Sequence, residues 1–289
     1  MTPRVTVAIP TYNGAVHLRA TIDSVLAQSY RDFELLIVDD RSTDTTSVVV
    51  LSYDDLRIRF LVNERTLGAE GNWNRCRAEA RGEYFKLLPQ DDLLAQDCLE
   101  RQIAILDKHR PRGIGFAFGA RTVIDSNGKL LLRRASFGRH SRVIASQEAI
   151  RKCVRRGTNL IGEPGNIMLS RALLEKTGEF DARNPYVVDL DYWFRALQWT
   201  DAYYDSATTT AFRISAGSWS VSIGKRQYDD LRDFLRRYAA DPKYALSRFD
   251  ITVGICMAWV NAKLRQLVYR YLLSHDQSAS TIEMLREKP

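Results

Sequence analysis

A chain of 289 residues with 45% hydrophobic and 27% charged residues can bury a core of its own, which excludes a disordered segment and a disulfide-stapled mini-protein. Its 42 Lys and Arg against 35 Asp and Glu leave a net charge of +7, an excess that suits an anionic partner: nucleotide phosphates, a phospholipid surface or nucleic acid. Four scattered cysteines, Cys76, Cys98, Cys153 and Cys256, form no Cys-x-x-Cys pair and have no histidine at metal spacing, so they read as reduced core residues in a cytosol.

The start, MTPRVTVAIP, enters a strand without the basic lead and long apolar stretch of a signal peptide. The longest apolar-leaning run, Ile251 to Ala262, falls short of the roughly 20 residues a spanning helix needs. A cytoplasmic protein that touches the inner face of a membrane without crossing it is the expectation.

Val5 to Ile9 is a β-branched run ended by Pro10, and Glu34 to Val38 is a second one ended by Asp39 and Asp40. Between them Leu18, Ile22, Val25 and Leu26 follow the stripe of an amphipathic helix. Strand, helix, strand at this length is a βαβ unit with parallel strands. A helix at about Thr43 to Leu51, a strand from Ile58 to Val62, a helix from Gly68 to Ala80 and a strand from Tyr84 to Leu88 continue the alternation. In such sheets ligands collect beyond the carboxyl ends of the strands, where Pro10-Thr11-Tyr12-Asn13-Gly14, Asp39-Asp40-Arg41-Ser42 and Gln90-Asp91-Asp92 fall. No dinucleotide fingerprint and no P-loop is present, so phosphates must be held another way.

The densest cluster is Gly82 to Leu94, GEYFKLLPQDDLL, an apolar strand that stops at Pro89 and hands over to an amide and two carboxylates. Adjacent carboxylates repel each other unless a cation or strong donors stand between them. A hard divalent ion completed by substrate phosphates is one solution, and a solvated turn is the other. Beyond it, Leu99, Ile103 and Leu106 give a helix its buried face, and Phe116 to Ile124 turns at Asp125-Ser126-Asn127-Gly128 into Leu130 to Leu132 as a hairpin. Asn159 to Pro164 reads as loop, Asn166 to Leu169 as strand, Arg171 to Lys176 and Asp189 to Gln198 as helices. The Ser/Gly-rich SAGSWSVSIG after Ile214 is a boundary or a lid, and Lys225 to Leu273 is helical and basic.

Taken in order, PTYNG (10–14), AQSY (27–30), FELLIVDDRSTD (33–44), the Asn63 to Gly68 stretch before NWNRC (72–76), GEYFKLLPQDD (82–92) and DLDYWFRAL (189–197) resemble family 2 glycosyltransferases. The resemblance covers roughly residues 4–220 and rests on the order and spacing of the motifs together. It implies an α/β fold of the GT-A type, Rossmann-like with a mostly parallel central sheet and flanking helices, occupying residues 1–222. A donor half to about residue 110 and an acceptor half from about 111 divide it, and a basic helical extension follows over 223–289.

The resemblance also implies an inverting transfer of a single sugar from a nucleotide-sugar donor, UDP first, to a glycan or lipid-linked acceptor in cell-surface polysaccharide synthesis. The donor would lie among Pro10, Thr11, Tyr12, Asn13, Asp40, Asn63, Gly68, Asn74, Gln90, Asp91 and Arg213. Tyr12 would offer a ring face to the base and Asp40 an acceptor to a base N–H. Asp91, with Asp92 behind it, would hold Mg²⁺ or Mn²⁺. Asp189 would be the general base, with Asp191 as second choice.

Three departures from the family pattern stand out: Pro89 where Asp-x-Asp begins, Val188 before the base, and Ser215 where a histidine is usual. They motivate an alternative, a nucleotide-sugar binding or scaffold protein without catalysis, and leave Arg213 or Lys225 to share the diphosphate charge. A sugar nucleotidyltransferase is a second alternative, but it needs a Gly-rich basic loop that Pro10 to Gly14 does not supply. In the extension, KRQYDDLRDFLRR (225–237) and AKLRQLVYRY (262–271) interleave basic and apolar residues. They suit an anionic bilayer, a second subunit as in a homodimer, or packing on their own domain. No nucleic-acid module is recognisable.

Overall fold

The structure, a computed structural model, describes residues 2–214 and 226–286, with side chains described as far as Leu267. Ser215, Lys225 and the Ser/Gly-rich stretch therefore lie outside the described residues, as do the side chains at the end of AKLRQLVYRY. The chain begins with the expected alternation: β1 (Val5–Thr11), α1 (Ala15–Leu26), β2 (Phe33–Asp39), α2 (Thr46–Leu51), β3 (Ile58–Val62), α3 (Gly68–Glu79) and β4 (Tyr84–Leu87). The short β5 (Leu93–Leu94) and α4 (Cys98–His109) follow. β3, β2, β1 and β4 are side by side and parallel, with Thr11 level with Asp39 and Ala8 level with Leu87.

The second half is built from β6 (Phe116–Ile124), β7 (Leu130–Arg134), β8 (Arg142–Ile144), α5 (Ser146–Arg156), β9 (Ile167–Ser170), α6 (Arg171–Thr177), α7 (Val188–Ala196) and β10 (Ala202–Arg213). The sheet runs β3-β2-β1-β4-β9-β6-β10-β5, with β7 on β6 and β8 on β10. It is parallel as far as β4 and mixed beyond it, because β9 enters antiparallel to both β4 and β6. The β6–β7 hairpin turns at the expected Asp125 to Gly128, where Asp125 Oδ1 accepts from the amides of Asn127 and Lys129.

The two halves meet at β4 and β9 through the pairs Tyr84–Ser170 and Phe85–Leu169. Just beyond them the fully buried Lys86 donates to the carbonyls of Gly165 at 2.6 Å and Ile167 at 3.2 Å. Burial pushes its ammonium pKa down, and the carbonyls meet the donors a buried cation needs.

α5 and β10 were not anticipated. SQEAIRKCVRR carries Ala149, Ile150, Cys153 and Val154 at helical spacing, and all four are buried. α8 (Gln227–Ala239) packs Leu231, Phe234, Leu235 and Tyr238 into the core that also holds Phe194 of α7. The amphipathic face of 225–237 is therefore core over its described residues. α9 (Arg248–Arg286) has an unusual inner face made of Gly254, Ala258 and Ala262, which lets it pass close to α5 and Gly157. Cys76, Cys98 and Cys153 are buried as expected, whereas Cys256 is exposed, because α9 turns that side outward. No helix among the described residues is long and apolar enough to cross a membrane.

Candidate active site

Beyond the ends of β1, β2 and β4 the loops are tied into one surface by side chains. Gln90 Oε1 accepts from the Thr11 hydroxyl at 2.6 Å and the Tyr12 amide at 2.9 Å, and its Nε2 donates to the Tyr12 carbonyl at 3.2 Å. Gly14 lies so close to that amide that any Cβ there would collide with Gln90 Oε1. Asn13 takes a positive φ of 48° and accepts from the Thr43 amide. Asn tolerates that region better than most residues. Tyr12 is 48% exposed, so its ring is open to a stacking base.

Asp40 is 2% exposed. Its carboxylate accepts from Asn63 Nδ2 at 2.6 Å and from the Leu67 and Gly68 amides at 2.7 and 2.8 Å, and so holds the start of α3 against β2. Asn72 continues the network by donating to the Val38 carbonyl at 3.0 Å. Asn74 stands apart, exchanging two hydrogen bonds with the Phe180 backbone. Thr11, Tyr12, Asp40, Asn63, Gly68 and Gln90 thus share one connected surface, and Asn74 joins α3 to the second half of the chain instead.

At the acid turn, Asp91 is half-buried and Asp92 is 2% exposed. Burial, with the neighbouring Asp91 charge, raises the Asp92 carboxyl well above the usual carboxylate range. Arg213, the last residue of β10, clamps this turn. Its amide donates to Asp92 Oδ1 at 2.9 Å, and its guanidinium donates to the carbonyls of Asp91, Asp125 and Ser126 at 2.9, 3.1 and 2.9 Å. Its role in the fold is to fasten the acid turn to the β6–β7 turn.

Among the described residues no three His, Cys, Asp or Glu side chains gather into a ready metal cage. What is present suits a hard cation held by one carboxylate and the oxygens of its ligand, since such an ion would relieve the repulsion between Asp91 and Asp92.

Across the sheet lies a second group. Asp189, at the first turn of α7, accepts from its neighbour's amide, Leu190 N, at 2.6 Å and from Asn159 Nδ2 at 2.8 Å. Burial and the nearby Glu163 charge push its carboxyl up to about 7, against the pull of those two donors and Arg121. Glu163 pairs with Arg121 at 2.5 Å. Burial opposes its ionisation, but Arg121 and Arg134 outweigh that and hold it below its ordinary pKa. Glu163 also adds to the rise at Asp92, and a Cβ on Gly165 would lie 3.3 Å from Asp92 Oδ2, so the loop from Asn159 to Gly165 that carries Glu163 runs from Asp189 to the acid turn.

Two residues further along α7, about 200° round the helix, Asp191 faces other partners. It is buried and accepts from Arg195 at 2.8 Å, Arg237 at 2.5 Å and the Tyr238 hydroxyl at 2.8 Å. Asp191 is a tie between α7 and α8. Val188 points into the core, and the carboxylate that does stand beside Asp189 comes from Glu163. Glu163, Arg121, Arg134 and Asn159 were missed in the sequence. Arg121 and Arg134 are ordinary strand residues by pattern, and only the register that sets them opposite each other brings them to Glu163.

The family model for glycosyl transferase family 2 matches residues 6–178. WfgD of Escherichia coli, a UDP-Glc:alpha-D-GlcNAc-diphosphoundecaprenol beta-1,3-glucosyltransferase, is 30% identical over 261 residues, 87% of this chain and 93% of that protein. An uncharacterized glycosyltransferase of Rickettsia typhi is 28% identical over 73% of this chain, and the match spans only 64% of that relative's length. Among solved structures, S. aureus TarS 1-349 in complex with UDP-GlcNAc matches with a TM-score of 0.68 at 18% identity, over 87% of this chain and 70% of that one. Mannosyltransferase PcManGT from Pyrobaculum calidifontis, in complex with GDP-Man and Mn²⁺, matches with a TM-score of 0.59 at 18% identity, over 96% and 76%. The fold is that of the GT-A glycosyltransferases. The chain belongs to glycosyl transferase family 2.

Proposed function

We propose that the protein is an inverting, metal-dependent glycosyltransferase. It moves one sugar from a nucleoside-diphosphate sugar, with UDP as the first choice of nucleotide, to a hydroxyl of a glycan or lipid-linked acceptor in cell-surface polysaccharide synthesis. The observation that carries this reading is Asp189, whose carboxyl burial pushes up to about 7, joined to the Asp91–Asp92 turn by the loop from Asn159 to Gly165. Inverting displacement needs a base on one side of the anomeric carbon and a place for the leaving diphosphate on the other. The donors named for WfgD and for the TarS complex, both UDP-sugars, support the choice of UDP.

In this reading the base stacks on Tyr12, and the loop braced by Gln90 and Asp40 receives the nucleoside. Asp91 is the residue that would hold a divalent cation, with Asp92 as the buried acid behind it. When bound, that ion supplies Lewis-acid neutralisation of the leaving diphosphate. Asp189 takes the proton of the acceptor hydroxyl as that oxygen bonds to the anomeric carbon, and the electrons of the breaking bond leave with the diphosphate. Asn159 holds the carboxylate in position.

The acceptor is brought from a membrane surface. The outer face of α9 exposes Phe249, Trp259, Val260, Leu264 and Leu267, while the inner face is made of small residues. The only acid from Arg248 to Leu267 is Asp250, which is buried and paired with Arg155 at 2.5 Å. Lys263 and Arg155 lie over the rings of Trp259 and Phe249. An apolar stripe flanked by cations and free of exposed acid fits an anionic bilayer.

The test of the enzyme reading is a thermal-shift panel with UDP, GDP, dTDP and CMP, each with Mn²⁺, Mg²⁺ or EDTA. UDP is expected to raise the melting temperature with metal and much less with EDTA. No shift from any nucleotide would remove the reading. For the membrane contact, co-sedimentation with phosphatidylglycerol vesicles should exceed that with phosphatidylcholine and fall in Trp259→Ser. Equal partition to both lipids would count against it.

A further inference from the structure

Charge is unbalanced around Asp189. Arg121 on β6 and Arg134 on β7 are paired directly across the hairpin, and both draw on the single carboxylate of Glu163. A third arginine reaches the same place from α9. Arg265 lies 5.2 Å from the centre of the Tyr186 ring, donates through Nε to Gln227 Oε1 at 2.9 Å and reaches the Thr158 hydroxyl at 3.5 Å. Among the described residues its Nη2 is buried with no hydrogen-bond partner.

Arg134 senses Glu163, Arg121 and Arg265 together, and burial pushes its pKa down. Among the described residues the only acid in ion-pair contact with this group is Glu163, which Arg121 already occupies. The stretch 215–225, SAGSWSVSIGK, contains no acid that could supply the missing charge. Arg121 is buried and Arg134 and Arg265 are half-buried, and guanidinium groups withdrawn from water in excess of carboxylates are costly unless an anion completes them.

The position of this excess relative to the reaction is set by its neighbours. Tyr186 precedes Asp189 on the same segment, and Thr158 precedes Asn159, which bonds Asp189. The arginines therefore belong to the side of the general base, while the Asp91–Asp92 turn is clamped by Arg213.

We propose that Arg134 and Arg265 form an anion subsite on the Asp189 side of the reaction centre that takes a phosphate of the acceptor. The acceptor is then a phosphate-bearing glycan or lipid-linked sugar, and a neutral saccharide alone is a poorer substrate. The two guanidinium groups grip the phosphate and so place the neighbouring sugar hydroxyl at Asp189. This assignment rests on the reading of Asp189 as the base.

The test is calorimetric titration of the full chain with inorganic pyrophosphate in EDTA, which silences any cation at Asp91. Wild-type protein should bind, and Arg134→Gln and Arg265→Gln should each weaken binding by about tenfold or more. Arg134→Lys and Arg265→Lys keep the charge but lose the guanidinium fork, so each should weaken binding clearly less than its Gln counterpart, which separates charge from folding. In a second titration without EDTA, pyrophosphate should still bind protein saturated with UDP and Mn²⁺.

No binding by wild type, Gln variants that bind as well as wild type, or Lys variants that lose as much as Gln variants would each overturn the subsite. Competition between UDP and pyrophosphate would overturn it differently, by assigning the arginines to the donor's phosphates. If pyrophosphate binds but no nucleotide shifts the melting temperature, the acceptor assignment falls with the function it rests on.

Discussion

The two sides of the sheet edge handle their polar groups in opposite ways. On the nucleotide side, Asp40, Asn63, Asn72, Gln90 and Thr11 are satisfied by one another and by backbone amides, with the groups already placed before any ligand arrives. On the base side, Arg121, Arg134, Arg265, Glu163 and Asp189 form a charged set whose balance shifts with one proton. The first arrangement stores shape, which suits an invariant nucleoside. The second stores reactivity, which suits a proton transfer near neutral pH.

The sharpest way to break this contrast is to compare two aspartates on one helix. Asp189→Asn should reduce turnover by about a thousandfold or more while nucleotide binding in the thermal-shift assay stays within about twofold. Asp191→Asn should do the reverse, lowering the melting temperature by roughly 5 °C as the ties to Arg195, Arg237 and Tyr238 loosen, with turnover near that of wild type at a temperature where both are folded. Full activity in Asp189→Asn would move the base elsewhere.

Glu163→Gln gives a smaller, graded effect. Glu163 holds the Asp189 pKa up, so its neutralisation should move the acid limb of the kcat/KM profile from near pH 7 downward by about one unit. An unmoved limb would show that the two carboxylates are not coupled. The same elevation has a stability sign. Folded Asp189 keeps its proton to about pH 7, while the ordinary carboxyl loses it near 3.8. The folded state thus binds the extra proton between those values, and stability falls as pH rises through that window. The Glu163→Gln protein should lose less over the upper part of it, as read by melting temperature at pH 5 and pH 8.

The half of the sheet proposed to hold the nucleotide was legible in the sequence because its signals are local. Each β-branched run ends on its polar cluster within a few residues, and the helix stripes between them are regular, so β1 to β4 and the acid turn fell where the pattern put them. Asp189 was proposed as the base from the resemblance alone, and its separation from Asp191 needed the helix to be seen. The rest was hidden for physical reasons. Arg121 and Lys86 look like surface residues of a strand, yet they are buried because partners far along the chain, Glu163 and the Gly165 and Ile167 carbonyls, satisfy them. Local pattern carries no trace of such pairings. α5 is the exception, since Ala149, Ile150, Cys153 and Val154 did carry a helical period.

The seam between β4 and β9 has a mechanical meaning. Only two residue pairs join the strands there, and the Lys86 ammonium carries the connection onward to the loop that leads back to Glu163. In the proposed reaction this seam would span the gap between the diphosphate side and the base side, so Lys86 would act as a spacer that sets the distance over which a sugar is handed. A displacement of about 1 Å can cost a reaction a hundredfold, which makes a buried side chain that touches no reacting atom one of the gauges of the transfer.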